Sequence, residues 1–338
     1  MHKKNLVCEV VKVFGAQMRV YLASHVEAVL EDRLQKGLDW VGFDKLIPTG
    51  ARIAIKPNFT YPRYKQGVTT YPALLKALVK ILSRRTSNIS IVESDGGLDA
   101  WTADHAFEGH GITELAKSFG VRPVNLSRSD LVEMRLPVPG KNITLSLPRL
   151  LLDQTDIFIT VPVLKTHAQT GVSLGIKNLW GCIPTTKRLL YHSMLPEILV
   201  GLVKLFRPIL SIIDATWAMD GLGPMHGDVI KTDCLLISNN LGAGEIAGCR
   251  AMGIDFSNIR YLRLAQTHGI LPDENLITYN RPPAGVITHC FRPKRDLRQT
   301  LVHYGPFRSR VLSRLIYLSP LSAVKDRILS LAGTERLK

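Results

Sequence analysis

Short apolar runs alternate along this chain with segments whose apolar residues recur at helical spacing. Leu6 to Val13 reads as a first strand. Leu22 to Leu34 carries Val26, Val29, Leu30 and Leu34 at intervals that fit one face of a helix. Arg52 to Ile55 predicts a short strand running into Lys56-Pro57-Asn58, and Leu74, Leu75, Leu78, Val79 and Leu82 mark the helix after it. Asn88 to Val92 predicts a strand that empties into Glu93-Ser94-Asp95-Gly96-Gly97, and a helix follows over Ala103 to Phe119. The second half repeats the style. Asp156 to Val163 predicts a strand with Lys165 just beyond it, Met194 to Phe206 a helix, and Ile209 to Ile213 a strand ending at Asp214. Cys234 to Ser238 predicts another strand, followed by a helix from Gly242 to Met252. Alternation of this kind predicts an α/β fold: a mostly parallel sheet with helical crossovers, built as one large or two closely joined α/β domains.

The core is expected over residues 1–291, and residues 292–338 form a basic amphipathic tail of a different character. Within the tail, Val311, Leu312, Leu315, Ile316 and Leu318 sit among Arg308, Arg310 and Arg314, and Pro320 interrupts the pattern before Val324 and Ile328 resume it. Such a segment can dock on its own domain, or on a membrane surface or protein partner through residues 308–333. No window of about 18 uncharged apolar residues predicts a membrane-spanning helix, because Glu197 and Lys204 interrupt the run from Leu195 to Leu205. The start, MHKKNLVCEV, does not read as a secretory signal. A cytoplasmic location, with a peripheral membrane contact through the tail, is the expectation.

Composition adds one strong fact. The 338 residues are 46% hydrophobic, enough for a sizeable core, and carry a net charge of +15. That balance favours anionic partners. Charge alone would admit nucleic acid, but no nucleic-acid motif and few interleaved aromatics accompany it, which argues against that partner. Cys8, Cys182, Cys234, Cys249 and Cys290 are widely spaced with no CxxC, so neither a structural zinc site nor an intrinsic iron–sulfur cluster is expected. A homo-oligomer is one arrangement the sequence leaves open.

The candidate chemistry follows the strand ends, where open parallel sheets bind ligands. The densest stretch runs from Leu164-Lys165-Thr166-His167 through Gly175-Ile176-Lys177-Asn178-Leu179-Trp180-Gly181-Cys182, with Lys187 and His192 soon after. Lysines supply charge for phosphate or carboxylate, or a nucleophilic or basic amine once burial lowers their pKa. A histidine there can be base, acid or metal ligand. Lys165, His167, Lys177 and His192 are therefore the candidate catalytic set, placed in loops, and Lys56, Asn58, Asn178 and Lys187 the candidate substrate-binding set. Glu93, Asp95 and Asp214 are candidates for a divalent cation or a general base. The glycine-rich Gly221-Leu222-Gly223-Pro224 lacks the Gly-Lys-Ser/Thr of a P-loop, and no GxGxxG occurs. This inventory predicts an enzyme acting on a small carboxylated or phosphorylated substrate by proton-transfer, isomerase or lyase chemistry. The alternative is a redox or electron-transfer protein using a cluster or cofactor supplied by a partner.

Taken in order, Ile55-Lys56-Pro57-Asn58, Glu93-Ser94-Asp95-Gly96, Val163-Leu164-Lys165-Thr166-His167, Gly175-Ile176-Lys177-Asn178-Leu179-Trp180-Gly181, and Asp214 with Gly221-Leu222-Gly223-Pro224 resemble the family called domain of unknown function 362, over residues 50–270. Many members of that family carry a ferredoxin-like cluster module, which the cysteines here do not form. Where the family usually shows Asp in the helix after Ser238, this chain has Glu245. A looser similarity links the motif order to nickel-pincer lactate racemases, in which a lysine binds an organic cofactor and a histidine some fifteen residues later ligates the metal; Lys177 and His192 are 15 residues apart.

Overall fold

The computed structural model describes residues 17–294 and, beyond them, Val311 alone. The first expected strand, Leu6 to Val13, and the tail segment 308–333 lie outside the described residues apart from Val311. Among the described residues twelve strands form: β1 Met18–Ser24, β2 Ile53–Pro57, β3 Ile89–Glu93, β4 Arg122–Asn125, β5 Leu131–Arg135, β6 Thr144–Pro148, β7 Ile157–Val161, β8 Val163–His167, β9 Gly171–Ser173, β10 Leu210–Asp220, β11 Asp228–Ser238 and β12 Ile277–Tyr279. Ten of them build one sheet in the order β12-β1-β11-β10-β7-β2-β3-β4, with β8 pairing β10 and β9. The strands from β10 through β7, β2 and β3 to β4 are mutually parallel, whereas β11 is antiparallel to both β10 and β1. β5 and β6 form a separate antiparallel hairpin. The mixed α/β class with a mostly parallel sheet is as expected.

Burial explains the strand type. All five residues of each of β2, β3, β7 and β8 are buried, as in sheets covered on both faces. Along β2, Ala54 packs into one core while Ile53 and Ile55 pack into the other. The period-2 alternation of a strand thus feeds two apolar layers. Helix Pro72–Leu82 crosses from β2 to β3. Helices Ala103–Gly109 and Ile112–Phe119 cross from β3 to β4.

Several elements depart from the sequence expectation. Leu22 belongs to β1, not to a helix: Val20 and Leu22 point into the core while the strand pairs with β11. The helix starts later, at Leu30, and ends at Trp40. The expected helix 103–119 breaks at His110-Gly111, because Gly111 takes φ of +71° to cap the second helix. A Cβ on Gly109 would lie 2.1 Å from the Pro62 carbonyl oxygen, so the backbones touch there. The single strand expected from Asp156 to Val163 is two. Pro162 has no N–H to give a ladder, and past it the chain parts from β2, stays beside β10 and pairs with β9. Lys165 therefore lies inside β8, not beyond a strand. β10 passes Asp214 and continues to Asp220 through an irregularity between Ala215 and Trp217. Residues Thr186–Phe206 form one 21-residue helical stretch of mean hydropathy 1.4, long and apolar enough to cross a membrane by that measure, yet 56% of its window is buried inside the protein. It reads as a core helix: Leu195, Ile198, Leu199, Val200 and Leu202 pack into the larger of the two cores.

Candidate functional site

The site is assembled at the carboxyl ends of the central parallel strands. β2 delivers Lys56, β3 delivers Glu93, and β8 delivers Lys165 and His167. The helical turn Gly175–Asn178 carries Lys177, and the 3-10 stretch Thr186–Met194 carries Arg188 and His192. The expectation that the four catalytic candidates lie in loops is corrected accordingly. Lys165 and His167 are strand residues, since β8 pairs with β9 from Lys165↔Ser173 to His167↔Gly171.

Lys56 and Glu93 form a buried ion pair at 2.7 Å. Glu93 Oε2 also accepts from the Phe59 amide at 3.1 Å, and Oε1 accepts from the Ser94 amide at 3.0 Å. Its carboxylate is thereby fully occupied. Gly181 lies against the pair: a Cβ there would sit 2.9 Å from Glu93 Oε1 and 3.0 Å from Lys56 Nζ. Asn178 ties this strand end down, donating to the Lys56 carbonyl at 2.9 Å and to Thr160 Oγ1 at 3.0 Å. Asn58 Oδ1 accepts from the Thr60 amide and hydroxyl.

Next to this pair stand three further cations that make no ion pair with a carboxylate among the described residues, although the charges of Glu93 and Asp95 act favourably on Arg188. Lys165 is 1% exposed and donates to the Val68 carbonyl at 2.8 Å. Burial, then the charges of Lys177 and Lys56, pull its pKa down to about 7. Lys177 stands 5.7 Å from the centroid of the Trp180 ring. Burial, then Arg188 and Lys56, lower its pKa to about 8. Arg188 is buried; its Nη2 donates to the Asp95 carbonyl at 2.7 Å and its Nη1 to the Thr185 carbonyl at 3.2 Å. Carbonyls satisfy hydrogen bonds without neutralising charge, and buried charge is costly unless paired.

Two imidazoles complete the group. His167 Nδ1 accepts from the Gln169 amide at 3.1 Å and the Thr170 amide at 3.4 Å, which leaves its proton on Nε2. Burial, followed by Lys177 and Lys165, holds it well below the ordinary histidine range. His192 has Nδ1 2.9 Å from the Leu189 carbonyl, so that nitrogen carries the proton. Its ring meets Trp180 edge-on at 4.9 Å. Burial and then Lys177 lower its pKa to about 3. Both rings are neutral at pH 7.

The other predicted residues fare differently. Lys187 is exposed, and its amide serves the Thr185 cap at 3.2 Å. Its neighbour Arg188, which the sequence reading missed, is the one turned inward. Asp95 Oδ1 accepts from the Ala103 amide at 2.7 Å and Asn125 Nδ2 at 2.8 Å. Asp214 accepts from the Tyr71 amide at 2.7 Å and from Thr216 Oγ1 at 2.6 Å; burial raises its pKa. Glu93, Asp95 and Asp214 therefore each serve local amides, and among the described residues no three His, Cys, Asp or Glu side chains gather to hold a metal ion. A different carboxylate acts on the Lys177 turn. Glu245 is fully buried, and accepts from the Ile176 amide at 2.8 Å and the Tyr261 hydroxyl at 3.1 Å. It thus caps the turn that presents Lys177. Burial lifts its pKa to about 7. Beside β8, the Gly223 Cα approaches the Thr166 carbonyl so closely that a Cβ would lie 2.0 Å from that oxygen.

Residues 53–250, which include every candidate residue named above except Tyr261, match the family described as "Domain of unknown function (DUF362)". The chain belongs to this family. A curated relative, described as a thylakoid-associated protein of Synechocystis sp., is 26% identical over 290 residues, spanning 78% of this chain and 86% of its own length. A crystal structure of a Thermotoga maritima protein is similar at 14% identity with a TM-score of 0.43. That likeness covers 71% of this chain, and this chain spans 59% of that structure's length.

Proposed function

We propose that this DUF362 protein is an enzyme that binds a small anionic substrate against Lys177 and Arg188 and moves a proton on it. The observation that carries this reading is the gathering of buried Lys165 and Arg188 with half-buried Lys177, none of them in an ion pair among the described residues, beside two neutral imidazoles. An anionic group on the substrate would supply the missing countercharge. Lys165, with a pKa of about 7, is half in its basic form near neutrality and suits a general base. His167, with its proton on Nε2, can donate a hydrogen bond to an oxygen that gains charge as the proton leaves. Proton abstraction beside a carboxylate or carbonyl, leading to isomerisation or elimination, uses these parts and no others.

The test is solvent exchange. The full chain, incubated in deuterated water with a panel of small carboxylates and phosphorylated acids, is expected to exchange a carbon-bound proton of one of them, read by proton NMR. Lys165→Met and His167→Ala should each reduce that exchange by about 10²-fold or more. Exchange that persists unchanged in both variants would remove these residues from the mechanism.

The location of the relative at thylakoids and the basic segment 308–333 together support a peripheral membrane contact for this chain. Co-sedimentation with vesicles rich in anionic lipid, lost in high salt, is the expected outcome. Equal sedimentation with neutral vesicles would contradict it.

A further inference from the structure

We infer that Trp180 is a positioning residue: its buried ring holds the Lys177 ammonium against its face and leaves the N–H donors of that ammonium for the ligand. This rests on the anion-binding reading above, in which Lys177 is an anchor, and adds the residue that sets where the anchor stands.

Sequence spacing makes the contact. Lys177 lies in the turn Gly175–Asn178, and Trp180 in the 3-10 stretch Leu179–Cys182 that continues it. Side chains three residues apart on such a turn stand over one another. Lys177 Nζ accordingly sits 5.7 Å from the Trp180 ring centroid, within the range of a cation–π contact. Trp180 is 6% exposed and packs into the larger core, so its ring is a fixed platform. The same ring meets His192 edge-on at 4.9 Å. Trp180 thus sets the placement of two candidate catalytic residues at once.

The other cations that stand over rings among the described residues single this one out. Lys65 over Tyr61 also donates to the Met225 carbonyl. Arg19 over Trp40 also donates to the Trp40 carbonyl and to Gln17. Lys231 over Trp217 is paired with Glu27, and Arg250 over Phe256 with Glu274. The Lys177 ammonium makes neither a hydrogen bond nor an ion pair among the described residues; the Trp180 ring is what holds it. A ring face attracts the charge as a whole and takes up none of the three N–H donors of an ammonium in a directed bond. Lys177 is half-buried, so those donors reach water and, in its place, an incoming anion.

The test weakens the ring face and keeps its shape. The full chain is produced with ordinary tryptophan, then with fluoro-, difluoro- and trifluorotryptophan. The Lys177 ammonium is titrated by NMR in each, its signal assigned with Lys177→Met. Each fluorine drains negative charge from the face, so the Lys177 pKa should fall stepwise along the series, by about half a unit or more in all. Arg188 and Lys56, the charges that act on Lys177, stay in place throughout. Trp180→Phe should keep part of the contact, and Trp180→Leu should lose it and displace the His192 ring resonances. A Lys177 pKa that stays flat across the fluorinated series would overturn the assignment, whether or not the leucine variant folds. A pKa that follows the fluorine count in a protein that exchanges no substrate proton would overturn the enzyme reading and keep the role of Trp180. Exchange together with a flat pKa would do the reverse.

Discussion

Glu93→Ala is expected to cost about 3–5 kcal/mol of folding stability, the range for stripping one partner from a buried ion pair. Its carboxylate meets the Lys56 ammonium at 2.7 Å and both groups are almost entirely out of solvent. Truncation leaves an uncompensated charge in the centre of the sheet, at the end of β2. It also strands the amides of Phe59 and Ser94, which donate to the same carboxylate. Urea denaturation at pH 7 reads the loss as a shift of midpoint at unchanged slope. Adding Lys56→Met should recover most of it, because the double variant removes the orphaned charge. A single-variant loss below about 1 kcal/mol would mean that the pair is open to water.

The second large effect has the opposite sign. Lys165→Met is expected to stabilise the ligand-free fold by about 1–4 kcal/mol near pH 6, the gain seen when buried charges give way to apolar groups of similar size. Part of that gain is offset, because the Val68 carbonyl loses its donor. The pH dependence follows from the depressed pKa. The unfolded lysine titrates near ~10.4, and the folded one at about 7. Below pH 7 the amine is charged in both states and the folded state bears the full burial cost. As pH rises from 7 toward 10 the folded amine is neutral while the unfolded one still holds its proton, so the cost fades. Above ~10.4 both are neutral and nothing remains of it. The advantage of Lys165→Met should therefore be greatest below pH 7 and shrink steadily above it. A stability difference that is flat from pH 6 to pH 10 would contradict a buried, shifted lysine. The same variant should lose proton exchange, so stability and activity move in opposite directions.

Much of this site was legible before the fold was known, for a physical reason. Lysines, histidines and glycines mixed after buried strand-like runs seldom serve packing, and Lys56, Lys165, His167, Lys177 and His192 do converge. What sequence could not supply was pairing across distance. Glu93 reads locally as an acid before a glycine turn, hence a cation ligand; only the parallel register of β2 and β3 brings it to Lys56. Lys187 and Arg188 are adjacent cations with equal claims on paper, and the 3-10 geometry turns the second one inward. Strand β8 was hidden because Val163–His167 is fully buried yet rich in polar residues, which violates the apolar rule for central strands. Glu245, noted in sequence only as an unusual residue, proves to cap the Lys177 turn. The helix expected from Leu22 failed because the β1–β11 ladder outweighed helical spacing.

The central claim is that buried Lys165 and half-buried Lys177 are shifted lysines that take an anion. The most direct test is an NMR titration of the lysine side-chain Cε and Nζ resonances, assigned with the two Lys→Met variants. Without added anion, one lysine should titrate near pH 7 and a second near pH 8, and saturating sulfate should move the pKa of Lys177 upward by about a unit or more. Lysines at positions 165 and 177 that both titrate near ~10.4, with or without sulfate, would contradict the account.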